Sequence, residues 1–399
     1  MNTDLQNPGR PAWARPDLFP VAPPDSWGYL DGAKGPNSVP DENALQEVLR
    51  NDVDEAIGLV WTPRQDHMEV PEAVPELQQA LQASRMVASE RQLRRQTGQV
   101  KLGLLLFVAF LGYAAWEIIQ FRQEFAPLSL LLDLLHSSAP ALGLLLLVMF
   151  FLLPWYETKK RWREVRGWTA ETMRDAADLA RFEVWLSWQK IVATKVLMGL
   201  IAATGAMQVI SGKPFAAALI RGGDERWRLL TAPMLHGNLL HFVMNALGLL
   251  YLGRRIEALA RWPQVPIVFL FSAWLGGECS TMVGKGSSLG ASGGIMGMLG
   301  FLLVFEIRHA KLVPRKSRRR LIAVVLGTAL IGVIGIHFID NAAHAGGLVA
   351  GMIYAFVVFP RSESVVRPQA SLADRVVALL CFVVLAYAAL LATQVMMGW

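Results

Sequence analysis

The sequence predicts an all-α, polytopic membrane protein. Of its 399 residues, 53% are hydrophobic and 18% are charged, against about 25% charged in an average soluble chain. Several apolar runs approach the roughly 20 residues that a helix needs to cross a bilayer. Lys and Arg gather in alternate gaps between those runs, the pattern left by membrane insertion. The net charge of +6 suits contact with anionic headgroups. No basic cluster comes with a recognition fold, so a nucleic-acid partner is not expected.

Residues 1–95 read as a polar extramembrane region. The first forty are rich in Pro, Gly and Asp, which predicts disorder. Residues 43–95 read as mostly helical, with apolar positions at Leu45, Val48 and Leu49 and again at Leu77, Ala80 and Leu81. A first span is expected at 102–119 and a second at 140–154, with Trp155 and Tyr156 as interfacial anchors. A basic connector over 157–190 opens with Lys159, Lys160, Arg161, Arg163 and Arg166. Further spans are expected at 191–211, 237–252, 265–282, 290–307, 321–336, 341–359 and 375–397. The domains are then 1–95, a pair of extra spans over 96–156, the connector, and a membrane domain over 191–397. The N-terminus has no apolar signal-peptide core, so insertion is expected to depend on the internal spans. Cys279 and Cys381 lie in apolar segments without metal-like spacing and read as inert thiols.

The basic gaps set an orientation. Arg91, Arg94, Arg95 and Lys101 precede the first span, and the Lys159–Arg166 group follows the second. Arg254, Arg255 and Arg261 follow the fourth, Arg308 to Arg320 the sixth, and Arg361 and Arg367 the eighth. The N-terminus is expected in the cytoplasm and Trp399 outside. Ser292 and His344 start the sixth and eighth spans, which puts both at non-cytoplasmic helix ends.

Those two residues carry the chemistry. Gly290-Ala291-Ser292-Gly293 and Asn341-Ala342-Ala343-His344-Ala345-Gly346-Gly347 lie in apolar surroundings. A histidine at membrane depth is a functional-site hypothesis in itself, whereas a serine can bond its own helix backbone. Gly293, Gly297 and Gly300 share one helix face, as do His344, Gly347 and Gly351. Small residues let backbones approach closely. If the two faces pack, Ser292 and His344 meet at one end as nucleophile and base; the plainer reading is helix packing alone. His241 and Asn245 lie one turn apart after His236, and both can donate hydrogen bonds to a developing oxyanion. Two rivals stand beside this: interhelical hydrogen bonding, or metal binding by His236, His241 and His344, which lacks the His-Glu-x-x-His pattern of zincins.

With Trp227-Arg228 and Tyr251-Leu252-Gly253 followed by Glu257, these motifs closely resemble those of rhomboid intramembrane serine proteases, in the same order over about residues 190–397. The resemblance implies a six-helix rhomboid core from the third to the eighth span, one extra C-terminal helix and two extra N-terminal ones. It implies Ser292 as nucleophile, His344 as base, and an oxyanion hole of His241, Asn245 and the Ser292 backbone N–H. Gly290, Gly293, His236, Asn341, Gly347, Gly351, Trp227, Arg228 and Glu257 become supporting residues. Met296 stands where many rhomboids carry a tyrosine against the histidine. The implied activity is hydrolysis of peptide bonds in or beside transmembrane segments, with membrane-protein substrates and the lipid bilayer as partners, no metal or organic cofactor, and the inner membrane of a bacterium as location. The alternatives are an inactive rhomboid-like protein that binds membrane clients and a transporter with glycine-broken helices. Glu257 reads either as a ligand of helix-end groups or as a solvated charge. Glu278 is expected to face a water-filled cavity, because a lipid-facing carboxylate is costly. His67, His136, His309 and His337 are given no role.

Overall fold

Aromatic residues set among the prolines of the first sixty residues give that stretch something to bury. The structure, a computed structural model, describes residues 9–32, 35–122, 127–283, 286–336 and 338–398; Trp399 and His337 lie outside them. Strands β1 (Trp27–Asp31) and β2 (Gly35–Val39) pair antiparallel, from Trp27 opposite Val39 to Asp31 opposite Gly35. Helix α1 (Glu42–Asn51) follows, its N-terminus capped by the Asp41 carboxylate, which accepts the Ala44 N–H at 2.8 Å. Strand β3 (Ile57–Trp61) joins the other side of β1, giving the order β2-β1-β3. Leu45, Leu49, Ile57, Val60, Val74, Leu77 and Ala80 form the core, with Trp27, Tyr29 and Val39 packed against it. The disorder expected over the first forty residues is therefore corrected for the described residues, while 43–95 is mostly helical as expected, apart from β3 and the loops on either side of it. The strands are five residues long and carry Gly and Pro, so their alternation is too short to stand out in a composition rich in turn formers.

Helix α2 (Gln78–Arg122) runs for 45 residues from this polar region through the first expected span. Helices α3 (Pro127–His136) and α4 (Ser138–Leu147) follow, then a π-helical turn over Val148–Leu152, α5 (Leu153–Arg166) and α6 (Ala170–Ser187). The basic connector is thus largely helical. Gly103 and Gly143 allow close helix approach: a side chain at either would strike the rings of Phe151 and Phe107, respectively. Among the described residues, those within 15–181 and 326–339 make one compact unit, and those within 9–14, 182–325 and 340–398 make the other.

The second unit begins its membrane helices with α7 (Val192–Ser211), which ends on Gly212 in the left-handed conformation. Strand β4 (Leu219–Ile220) and the short α8 (Arg228–Thr231) lead to α9 (Leu239–Ala260), which is bent by 93° from the segment before it. Then come α10 (Gln264–Thr281), β5 (Ser287–Ser288) paired antiparallel with β4, α11 (Ser292–Arg308), α12 (Arg315–Ile334), α13 (Asn341–Val358) and α14 (Leu372–Met397). A Ser371–Asp374 capping box starts α14. Residues of α12 up to Val325 belong to this unit.

Each expected span falls on a helix. Among the described residues, five stretches are long and apolar enough to cross a membrane: α2, the run through α4 and α5, α7, α13 and α14; counting the bent pair at α8 and α9 makes six. Helix α11 is 17 residues long with most of its surface buried by protein, so it carries glycines where a lipid-facing helix would carry leucines. Helix α12 spends its first turns on Arg315, Lys316 and Arg318 to Arg320. The protein is an integral, multi-pass, all-α membrane protein.

Candidate active site

Ser292 is the first residue of α11, and no side chain caps that helix. The opening N–H groups of a helix have no intrahelical partner, so the Ser292 N–H stands at the positive end of the α11 dipole. The turn leading to it depends on Gly290. Its φ is +126°, and a Cβ there would lie 2.7 Å from His241 Cε1 and 2.8 Å from His241 Nε2. The Gly290 N–H donates to Ala232 O at 2.9 Å, which fixes the approach of the chain to the serine.

Helices α11 and α13 run parallel along a glycine seam. A Cβ on Gly347 would lie 2.0 Å from Gly293 O, and one on Gly351 would lie 1.8 Å from Gly297 O. Gly300 meets Leu348 and Met352 in the same way. The contacts advance together along both helices, so both N-termini lie at one end of the pair. Ser292 precedes Gly293, which lies against Ala343 O, and His344 follows Ala343. Both side chains are half-buried. Among the described residues, neither the Ser292 hydroxyl nor the His344 ring makes a hydrogen bond. Such bonds are often long before substrate binds.

The third element is α9. Asn238 caps it by accepting the His241 N–H at 2.8 Å. The Gly237 N–H donates to His241 Nδ1 over a long 3.5 Å, which leaves Nε2, the atom facing Gly290, to carry the ring proton. Asn245 Nδ2 would lie 3.7 Å from a Gly290 Cβ, and among the described residues it is a buried donor without an acceptor. His241 and Asn245 therefore face the turn that presents Ser292. His236 is buried against the rings of His241 and Phe242, at centroid distances of 5.2 and 5.3 Å. Its backbone is held by Gln208, which donates to His236 O at 2.7 Å and accepts the His236 N–H at 3.0 Å. Among the described residues, no group of three or more His, Cys, Asp or Glu is placed to hold a metal ion.

The other expected residues have structural partners. The Arg228 guanidinium lies over the Trp227 ring and donates to Ala216 O at 2.6 Å and Ala218 O at 3.0 Å, pinning the loop before α8. Glu257 accepts the Thr194 N–H at 2.7 Å, the Thr194 hydroxyl at 2.6 Å and the Ala193 N–H at 3.3 Å. It is a ligand of the α7 N-terminus, not a solvated charge. Glu278 pairs with Arg226. Asn341 opens α13, and Met296 is buried in α11. Sequence reasoning missed Gln208, Arg221 and Asp340. A polar Gln late in an apolar span and an Asp just before the Asn341 motif were the available signals; nothing in the sequence pointed to Arg221.

Three facing helices, with a serine and a histidine at one end of a glycine seam, define the polytopic class to which comparison assigns the chain. Residues 223–361 match the family model for the Rhomboid domain. RHOMBOID-like protein 6, mitochondrial, of Arabidopsis thaliana is 32% identical over 148 residues, covering 36% of this chain and 47% of that protein. Rhomboid protease GluP of Bacillus subtilis is 31% identical over 131 residues, 33% of this chain and 26% of its own length. Inactive rhomboid protein 1 of Rattus norvegicus is 29% identical over 140 residues, 34% of this chain and 16% of its own length. The chain thus spans less than half the length of each. Over residues 223–361 it carries a Rhomboid domain and is similar to members of the rhomboid family. Relatives from a plant, a bacterium and a mammal do not assign it to a bacterial membrane.

Proposed function

We propose that the protein is an intramembrane serine endopeptidase that cuts membrane proteins in or beside a transmembrane segment. The observation that carries this is the parallel α11–α13 seam, which puts Ser292 and His344 at the same end of two helices in backbone contact. In the proposed reaction, Ser292 Oγ attacks the scissile carbonyl carbon and its proton passes to the His344 ring. The oxyanion is received by the Ser292 N–H, His241 Nε2–H and the Asn245 amide. Collapse breaks the C–N bond, and His344 returns the proton to the leaving amine. Water, activated by His344, then attacks the acyl ester and frees Ser292. A substrate helix must unwind locally, because its peptide bonds are shielded and internally bonded. The half-buried site must also admit water.

The basic gaps support a cytoplasmic N-terminus and an active site at the opposite face. The existence of a relative named inactive keeps a client-binding role as the rival. Purified wild type and Ser292→Ala are incubated in detergent with a single-span substrate. Cleavage by wild type alone is expected. Binding of that substrate without cleavage by wild type would favour the client-binding role.

A further inference from the structure

The arms that deliver the nucleophile and the base are tied together by one buried-edge ion pair. Asp340 lies four residues, one helical turn, before His344; Ser288 lies four residues before Ser292. The Asp340 Oδ2 atom accepts from Arg221 Nη2 at 2.9 Å and from the hydroxyls of Ser280 and Ser288. Its Oδ1 accepts the Ala343 N–H at 3.0 Å and so caps α13. Arg221 also donates through Nε to Ser280 Oγ at 3.0 Å, and its backbone N–H donates to Gly286 O at 2.9 Å. Both charged side chains are largely shielded, at 20% and 15% exposure. One carboxylate thus links the β4 loop, the end of α10, the strand that leads into α11 and the start of α13.

We infer that Asp340 and Arg221 are positioning residues that hold the Ser292 and His344 arms in reacting register through Ser280 and Ser288. The inference rests on the Ser292–His344 dyad proposed above. The seam of α11 and α13 starts where Gly293 meets Ala343, so the turns that lead into Ser292 and into α13 lie outside it. Those turns need a separate tie, and this cluster spans both. A charge-assisted, multiply bonded carboxylate gives direction as well as attraction. A displacement of about 1 Å at a reacting pair can cost on the order of 10²-fold in rate.

The test uses the full-length protein in detergent and a fluorophosphonate probe. Ser292 Oγ forms the P–O bond, fluoride leaves, and the hydroxyl proton passes to His344, so the labelling rate reads the dyad without substrate binding. Arg221→Gln removes the tie but leaves the α13 cap. Asp340→Asn keeps a carbonyl oxygen for the Ala343 N–H and removes the charge. Both are expected to lower labelling and kcat by roughly 10- to 10²-fold, with KM for a transmembrane substrate little changed. Arg221→Lys is expected to restore part of the rate. Ser280→Ala, a milder change, should move the rate in the same direction if the charge variants fail to fold. Wild-type labelling rates per folded molecule in the variants that fold, whatever their Tm, would overturn the inference and leave the dyad standing. A wild type that the probe does not label, with Ser292→Ala as control, would overturn the dyad reading and this inference with it.

Discussion

At the residue scale, the site depends on groups that cannot be exchanged for near neighbours. Asn245 is a buried donor with no acceptor among the described residues, a costly arrangement for a buried polar group and one that suits a donor awaiting an oxyanion. Asn245→Ala is expected to lower kcat by about 10²–10³-fold while Tm stays near wild type; a fallen Tm with full turnover in the folded fraction would mark it as interhelical glue. Gly290→Ala adds a Cβ against the His241 ring at a φ of +126° and should destabilise the fold by about 1–3 kcal/mol, read by thermal unfolding. Asp340 has a pH signature. Burial raises the pKa of its carboxyl, but Ser280, Ser288, the Ala343 N–H and Arg221 outweigh burial and hold it below the ordinary 3.8. A depressed folded-state pKa gives stability that is full above the unfolded value and lost as pH falls through the folded one. The Tm gap between wild type and Asp340→Asn should therefore be flat from about pH 5 to 8 and shrink in acid below 3.8. At this scale the sequence exposed Ser292, His344, His241 and Asn245, because polar groups in apolar runs stand out. It hid Arg221, whose meaning comes only from partners 59 and 119 positions away.

At the element scale, the glycine seam sets how closely α11 and α13 approach. Gly351→Ala would put a methyl 1.8 Å from a backbone oxygen that no rotamer change can move. It should destabilise by about 1–3 kcal/mol and cost activity by spreading the pair. Gly199 in α7 has nothing within 4 Å of an added Cβ, so Gly199→Ala is the matched control and should be neutral or slightly stabilising. Thermal unfolding of the two variants side by side checks the seam. The spacing of Gly293, Gly297 and Gly300 against Gly347 and Gly351 was legible because helical periodicity survives in a glycine code. The small N-terminal sheet was not: Trp27 and Tyr29 pack against α1 residues that lie beyond a turn rich in Gly and Pro, and a five-residue alternation has little statistical weight.

At the scale of the whole molecule, hydropathy recovered the membrane class and the order of the helices. It overstated α10 and α11, which protein largely buries, and α12, whose first turns are cationic. The basic gaps predict that a reporter fused at residue 315 reads cytoplasmic; an external reading would reverse the proposed orientation and turn the site to the cytoplasm. The central claim is that His344 activates Ser292. Its most direct measurement is mass-spectrometric mapping of the fluorophosphonate adduct on wild type and on folded His344→Ala. The account predicts a single adduct on the peptide carrying Ser292, abolished in the variant. An adduct elsewhere, or labelling of Ser292 that His344→Ala leaves unchanged, would contradict it.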